Sequence, residues 1–474
     1  MTQIQFGTSG WRGIIADEVT FPIARVVVQG IADHVKAARL EERGIVVGYD
    51  TRFLADRFAQ EAAKVLAANR IRVFLCDRET PTPVVAYEIL RRQAGGAINI
   101  TASHNPPEWS GIKFSTATGG PALPEVTRFI EARANERWAN PEVETLEIEA
   151  AEKAGLLTMI DPLGPYFMHL RSLVDFEAIR RAGLRVVVDL LFGTGRGYLD
   201  EACRDAGCEV DVLHDWRDPL FGGAPPDPTP KRLLELGERV RKRKAHLGLA
   251  TDGDADRFGV VDSDGSVVSA NQILALLLKH LLTTRPFPGG VARSVATTHL
   301  LDAVARQYHV PLHETPVGFK YLGELITQGK VILAGEESAG LSIRGHVPEK
   351  DGILACLLVA EMVAKRDRAS LSQLLDELYA EVGTILSRRI DLNLKPEEQE
   401  RLLQKLQEPP PTLIGRRVEE IQRVDGTKLL LEDGSWLLIR PSGTEPVVRL
   451  YVEAKNAKDL EKLTEAGQQL VYGS

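Results

Sequence analysis

One pattern is written three times in this chain, and it limits the fold more than any other feature. From Gly44 to Asp77, an apolar run (Ile45–Gly48) precedes the turn Asp50-Thr51-Arg52. A segment of helical period (Phe58–Ala68) and a second apolar run (Val73–Cys76) follow. The order returns as Arg185–Asp189, Phe192–Gly197, Tyr198–Ala206 and Glu209–Leu213. It returns again as Ser294–Ala296, Thr297–His299, Leu300–Gln307 and Val310–Glu314. Each copy then shows a Thr-Pro pair placed to open a helix: Thr82-Pro83, Thr229-Pro230 and Thr315-Pro316. Proline suits a first helical turn because the amide it lacks would be unpaired there. A further apolar strand in each copy runs into a polar loop: Thr101–Pro106, Asp252–Arg257 and Gly335–Gly340.

Strands and helices alternating at this spacing imply α/β layers, in which ligands bind at the carboxyl ends of strands. The reading is therefore three similar mixed α/β domains, each donating one loop to a common site. They are placed at residues 1–160, 161–268 and 269–384. From 385 to 474 the pattern changes to strand-like Arg388–Leu392, a polar helix near Glu397–Leu406, strands at Lys428–Leu431, Trp436–Ile439 and Val448–Glu453, and a final helix. That predicts a smaller α+β domain. Four units agree with a length of 474 residues.

A net charge of -8 argues against a nucleic-acid partner without excluding a local basic pocket for an anion. The N-terminus shows no basic and apolar leader. The longest apolar runs, Ile273–Leu278 and Ile353–Ala360, are too short to span a bilayer and read as buried helices. Cys76, Cys203, Cys208 and Cys356 include no C-x-x-C pair and read as reduced, buried thiols. A cytoplasmic enzyme with no membrane partner, monomer or homodimer, is the expectation.

Thr101-Ala102-Ser103-His104-Asn105-Pro106 places a serine after a buried strand, with polar neighbours that suit a nucleophile; a plain Ser/Asn turn is the competing reading. No G-x-S-x-G elbow surrounds Ser103. Lys113 alternates with apolar neighbours and can face the same pocket. In Asp252-Gly253-Asp254-Ala255-Asp256-Arg257, carboxylates at i, i+2 and i+4 can converge on one hard cation and leave room for a phosphoryl oxygen, which suits Mg²⁺. Arg257 can pair with a phosphate. Gly335-Glu336-Glu337-Ser338-Ala339-Gly340 offers a carboxylate and a hydroxyl to sugar hydroxyls, or is a simple turn. His346 and Lys350-Asp351 are weaker candidates. Arg440-Pro441-Ser442-Gly443-Thr444-Glu445-Pro446 forms a plausible phosphate cradle. Gly193-Thr194-Gly195-Arg196-Gly197 lacks the dinucleotide spacing and reads as a tight turn.

Taken in order, these loops and the opening Phe6-Gly7-Thr8-Ser9-Gly10-Trp11-Arg12-Gly13 resemble those of the α-D-phosphohexomutase superfamily, the phosphoglucomutase/phosphomannomutase group, over essentially the whole chain. The resemblance implies a fourth domain of the TATA-box-binding-protein-like type. It implies Ser103 as a phosphoserine whose phosphoryl group joins Asp252, Asp254 and Asp256 around Mg²⁺. Arg12, Lys113, His104 and Arg257 would line the reacting end, with Lys113 as general acid/base. Glu336 and Ser338 would hold sugar hydroxyls, and Arg440, Ser442, Gly443 and Thr444 the phosphate not being transferred. Lys320, His346 and Arg449 complete the implied substrate contacts.

The implied reaction interconverts hexose 1-phosphate and hexose 6-phosphate through a bisphosphate, with glucose 1,6-bisphosphate as activator. Ala255 stands where many relatives have Gly. The sugar loop, Glu-Glu-Ser-Ala-Gly, is nearer the phosphoglucomutase form than the dual-specificity form, which often has Met and a terminal His there. It differs from the phosphoglucosamine form, which usually has Gln before the serine. Phosphoglucosamine mutase remains one alternative; an Asp252-nucleophile phosphatase and a non-catalytic sugar-phosphate sensor are others.

Overall fold

A computed structural model describes residues 4–7, 10–441 and 447–473. The first sheet holds β1 (Trp11–Ile14), β2 (Ile45–Tyr49), β3 (Val73–Cys76), β4 (Gly96–Ile100), β5 (Trp109–Thr116) and β6 (Leu157–Ile160), in the order β1-β5-β4-β2-β3-β6. The second holds β7 (Arg185–Asp189), β8 (Glu209–Leu213), β9 (Leu247–Thr251), β10 (Phe258–Val261) and β11 (Val267–Val268), ordered β11-β10-β9-β7-β8. In the third, β12 (Gly290–Ser294), β13 (Leu312–Thr315), β14 (Val331–Glu336) and β15 (Gly340–Ile343) run β13-β12-β14-β15.

One four-strand motif underlies all three: β3-β2-β4-β5, β8-β7-β9-β10 and β13-β12-β14-β15. In each, three parallel strands end on an antiparallel fourth. The three chemistry-bearing loops occupy one topological position, the hairpin joining the third strand to the fourth. Strands β4, β9 and β14 are buried along their whole length, so these hairpins emerge from the middle of each layer.

The repeat departs from the sequence reading in two places. The Ser294–Ala296 strand lies earlier, at Gly290–Ser294, because Gly289 and Gly290 hide the start of β12. Only Thr82-Pro83 opens its helix directly (Thr82–Arg92). After Thr315-Pro316 the amides of Val317 and Gly318 are taken by Asp425 and Glu336, and the helix begins at Phe319. After Thr229-Pro230 one turn, closed by Leu233 N–H on Thr229 O, precedes the helix at Leu234.

Helix 352–365, where Ile353–Ala360 reads as a buried helix, is buried on nearly every face and packs on β9, β10 and β15. It seals the second and third layers into one continuous hydrophobic core, whereas the first layer has its own. Asp351 caps this helix by accepting from Leu354 N–H at 2.9 Å. No helix among the described residues is long and apolar enough to cross a membrane. All four cysteines are free thiols, Cys208 half-buried and the others buried.

The C-terminal sheet is antiparallel throughout: β16 (Leu386–Asn393), β17 (Thr412–Leu413), β18 (Arg416–Gln422), β19 (Thr427–Leu431), β20 (Trp436–Pro441) and β21 (Val447–Ala454), ordered β16-β21-β20-β19-β18-β17. Helices 396–405 and 457–472 supply its separate core. Trp436, Leu438 and Tyr451 pack instead on Val295 and Ala296 of the third layer. There Glu453 accepts from Trp436 Nε1 (2.7 Å) and from His299 N–H (2.9 Å), at the start of helix 300–307.

Candidate active site

Ser103 sits at the head of the β4–β5 hairpin with φ of 54°, a left-handed conformation costly for a side-chain-bearing residue. The surrounding bonds hold it there. Thr101 Oγ1 accepts from Ser103 N–H at 2.8 Å and donates to the buried Asp50 carboxylate at 2.6 Å. Ser103 Oγ donates to Asp252 Oδ2 at 3.0 Å, a contact that crosses from the first layer to the second. His104 Nδ1 lies 3.4 Å from the same Oγ. Burial, with Arg257 and Arg12 close by, drives the His104 pKa well below the ordinary histidine value, so its ring is neutral near pH 7.

The β9–β10 hairpin brings ligand atoms of Asp252, Asp254 and Asp256 within 4.8 Å of one another. Asp254 Oδ1 and Asp256 Oδ1 are buried without a hydrogen-bond partner. Unpaired carboxylate oxygens this deep are costly, and a hard divalent cation is what three such groups would satisfy. The donor set therefore fits a metal ion of the Mg²⁺ kind. Their other oxygens meet cations: Lys113 Nζ reaches Asp254 (2.5 Å) and Asp256 (3.0 Å), and Lys350 Nζ reaches Asp256 (3.0 Å). Burial opposes ionisation of Asp256, yet Lys113, Lys350 and Arg257 hold it far below the usual carboxylate range. Asp252 moves the other way: burial, then the charges of Asp256 and Asp254, push it well up.

Gly253 is where the two loops touch. A Cβ there would lie 2.7 Å from the Ser103 carbonyl oxygen, so only glycine permits this approach. Thr82 adds a second junction: its Oγ1 donates to Asp254 Oδ2 at 2.5 Å and accepts from Asn99 Nδ2 at 2.7 Å. Arg12 donates to Asn105 Oδ1 at 2.6 Å and feels the charges of Asp254 and Asp256. Arg257 lies 3.8 Å from Asp227 and bridges by backbone to Gly340 at the end of the third hairpin.

On that third hairpin, Glu336 accepts from Gly318 N–H at 2.8 Å. Burial, then the neighbouring Glu337 charge, pushes its pKa up to about 7. Ser338 and Lys320 are half-buried, and burial lowers the Lys320 pKa. The His346 ring packs inside the protein, with Nε2 2.8 Å from Asp351 Oδ2 and Nδ1 3.0 Å from His169 Nε2. Lys350, a weak candidate from sequence alone, is the residue of this segment that enters the acidic cluster.

Arg440 and Arg449 are cross-strand partners on β20 and β21, and Asp391 of β16 faces Arg449 in turn. Arg440 Nε donates to Asp425 Oδ1 at 2.9 Å, and Asp425 also accepts from Val317 N–H, which fixes the guanidinium relative to the third layer. Ser442, Gly443 and Thr444 lie outside the described residues. Sequence reading missed Arg389, two residues from Asp391 on β16. It pairs with Asp391 at 2.9 Å, and the charge of Glu337 is one of several that raise its pKa.

Comparison with known proteins agrees with this architecture. Residues 3–140, 164–265 and 269–382 match the phosphoglucomutase/phosphomannomutase alpha/beta/alpha domains I, II and III, and residues 395–466 match the C-terminal domain. A phosphoglucomutase of Komagataeibacter xylinus is 30% identical over 508 residues, covering 99% of this chain and 91% of that protein. A probable phosphoglucosamine mutase of Methanothermobacter thermautotrophicus is 31% identical, covering 95% of this chain and 94% of its own. The crystal structure of a Thermus thermophilus protein, provisionally described as a phosphomannomutase, is 32% identical with a TM-score of 0.86 over 100% of both chains. Three substrate names thus surround one shared architecture, and the chain belongs to the phosphoglucomutase/phosphomannomutase family of phosphohexomutase enzymes.

Proposed function

We propose that the enzyme interconverts hexose 1-phosphate and hexose 6-phosphate through phospho-Ser103, with glucose phosphates as preferred substrates. The observation that carries this reading is the 3.0 Å contact from Ser103 Oγ to Asp252, a hydroxyl of one layer hydrogen-bonded to the acidic cluster of the next. Asp252, Asp254, Asp256 and an oxygen of phospho-Ser103 would hold Mg²⁺, which when bound neutralises the phosphoryl group in transit.

The chain's own groups do the remaining work. Arg12, Lys113, Arg257 and Lys350 surround the cluster and offset the charge of a phosphate entering beside three carboxylates. As a sugar hydroxyl oxygen bonds to phosphorus, the bond from phosphorus to Ser103 Oγ breaks. The hydroxyl gives up its proton and Oγ takes one up. Lys113, hydrogen-bonded to Asp254 and Asp256, would exchange it. Glu336 and Ser338 orient the sugar, and Arg440 and Arg449 hold the far phosphate. The bisphosphate then reverses its ends and returns its other phosphate to Ser103. Added glucose 1,6-bisphosphate would rephosphorylate any chain that loses the intermediate. Asp252 has one oxygen on Ser103 and the other on Arg257 N–H, which argues against its use as a phosphatase nucleophile.

Labelled glucose 1,6-bisphosphate should leave phosphate on Ser103, and Ser103→Ala should abolish turnover with the fold kept. Glucose 1-phosphate should outpace mannose 1-phosphate. Full turnover by the alanine protein would end the phosphoserine reading, and a clear preference for glucosamine 1-phosphate would end the assignment to glucose.

A further inference from the structure

Arg52 looks from sequence like a turn residue after β2, and nothing in the reaction above uses it. Yet its side chain is wholly buried, and all five guanidinium N–H donors have acceptors. Nε meets Asp50 Oδ2 at 3.2 Å. Nη1 reaches the carbonyls of Pro106 (2.7 Å) and Trp109 (2.9 Å), and Nη2 those of Ser103 (2.8 Å) and Asn105 (2.7 Å). Four of the five bonds thus go to the backbone between Ser103 and the start of β5 at Trp109. No donor remains for a phosphate.

A buried guanidinium with a single carboxylate partner is an expensive way to close a turn. What it supplies is rigidity, since a planar fork that fills four carbonyls fixes their mutual positions. Those carbonyls belong to the left-handed Ser103 and to the residues that follow it, so the fork holds the backbone on the exit side of the serine.

The other contact of Arg52 leads across the layer boundary. Its guanidinium lies 5.0 Å from the centroid of the Phe221 ring, a fully buried side chain on the long loop after β8. Five residues on, Pro226 O of that loop accepts from Gly253 N–H at 3.0 Å. Asp227 then faces Arg257. One loop of the second layer therefore touches both the support beneath Ser103 and the acidic hairpin.

We infer that Arg52, seated on Phe221, is a positioning residue that sets the register of Ser103 against the acidic hairpin for phosphoryl transfer, acting through the loop carbonyls and touching no substrate. This rests on Ser103 being the phosphoryl carrier. The variants Arg52→Lys, Arg52→Gln and Phe221→Leu, each in the full chain, test it. Ser103 is charged with labelled glucose 1,6-bisphosphate, the labelled fraction is counted, and kcat and KM for glucose 1-phosphate are measured per labelled serine, with melting temperature alongside. A displacement of about 1 Å near reacting groups can cost about a hundredfold. Arg52→Gln should therefore lose about a hundredfold in kcat, and Arg52→Lys, which keeps some of the bonds, about tenfold. Phe221→Leu, which keeps an apolar side chain there, should lose several-fold, and KM should stay within about twofold throughout. A purely structural role would lower the melting temperature and the labelled fraction but leave kcat per labelled serine at the wild-type value, and that result overturns the inference. A raised KM at unchanged kcat overturns it too, because Arg52 would then act on substrate. Should the Arg52 variants not fold, Phe221→Leu decides alone by the same criteria. Absence of label on the wild-type chain removes the Ser103 reading itself, and this inference with it.

Discussion

Gly253→Ala probes the closest backbone approach in the site. The new methyl carbon would lie 2.7 Å from Ser103 O and 2.8 Å from Pro226 Cγ. Carbon contacts are comfortable from about 3.5 Å, so about 0.8 Å of separation must be found. The acidic hairpin is poorly placed to supply it. Gly253 N–H is bonded to Pro226 O, and Gly253 O accepts from Thr194 N–H at 3.0 Å, with Gly193 packed behind. The serine loop must give way, and Ser103 Oγ then leaves its 3.0 Å position on Asp252. The expected loss is about thirty- to a hundredfold in kcat, with an overpacking cost of about 1–3 kcal/mol. KM should change little, because Glu336 at the end of β14 and Arg440 on β20 belong to other elements. Steady-state kinetics normalised to the phosphorylated fraction of Ser103, together with Mg²⁺ binding by calorimetry, give the answer. Ala255→Gly, at a φ of 55° in the same hairpin, is the control and should be near neutral. Wild-type kcat per phosphoserine in Gly253→Ala would show that the serine loop can retreat without consequence, and the argument from close approach would fail.

Asp254→Asn removes the carboxylate that Thr82 and Lys113 both address; Mg²⁺ affinity and activity should each fall at least tenfold, and undiminished turnover in excess chelator would contradict the metal reading. Arg440→Ala should raise KM and lower kcat, losing about 1.5–3 kcal/mol or about ten- to a hundredfold in kcat/KM while Mg²⁺ binding is kept; wild-type kinetics would reduce the loop to a strand connection. Burial opposes ionisation of Glu361, but His280 and Arg285 outweigh it and bring its pKa down to about 2 from 4.5. A depressed carboxylate stabilises the fold fully above pH 4.5 and loses that contribution as pH falls toward 2, here about 3 kcal/mol. Glu361→Gln should therefore flatten the acid limb of urea unfolding in that window, and parallel limbs for the two proteins would refute it.

The parts of this molecule that are periodic were legible in its sequence, and the parts that depend on another layer were not. Apolar runs such as Val186–Val188 and Ile353–Ala360 announce β7 and the buried helix because burial demands an unbroken run. The short edge strands β11 and β17 have only two residues each, too few for any period. Asp252, Asp254 and Asp256 are visible as a cluster because their spacing is local. Thr82 is not, since its partner Asp254 lies 172 positions away and a Thr-Pro pair reads only as a helix start. Nor does the sequence show that the His346 ring joins a chain with His169 and Asp351, since His169 lies 177 positions away. Lys350, four residues on, has the reach to enter the pocket.

The shared position of the three hairpins also bears on how such an enzyme can change. Each loop joins two strands whose pairing continues well beyond it, so most of the ladder does not depend on the residues at its tip. On the reading proposed above, the β9–β10 loop could change its hold on a cation while the β14–β15 loop traded one sugar for another. Ancestry by duplication would leave this kind of division of labour: three copies of one frame, each free to specialise once the others had taken the remaining tasks.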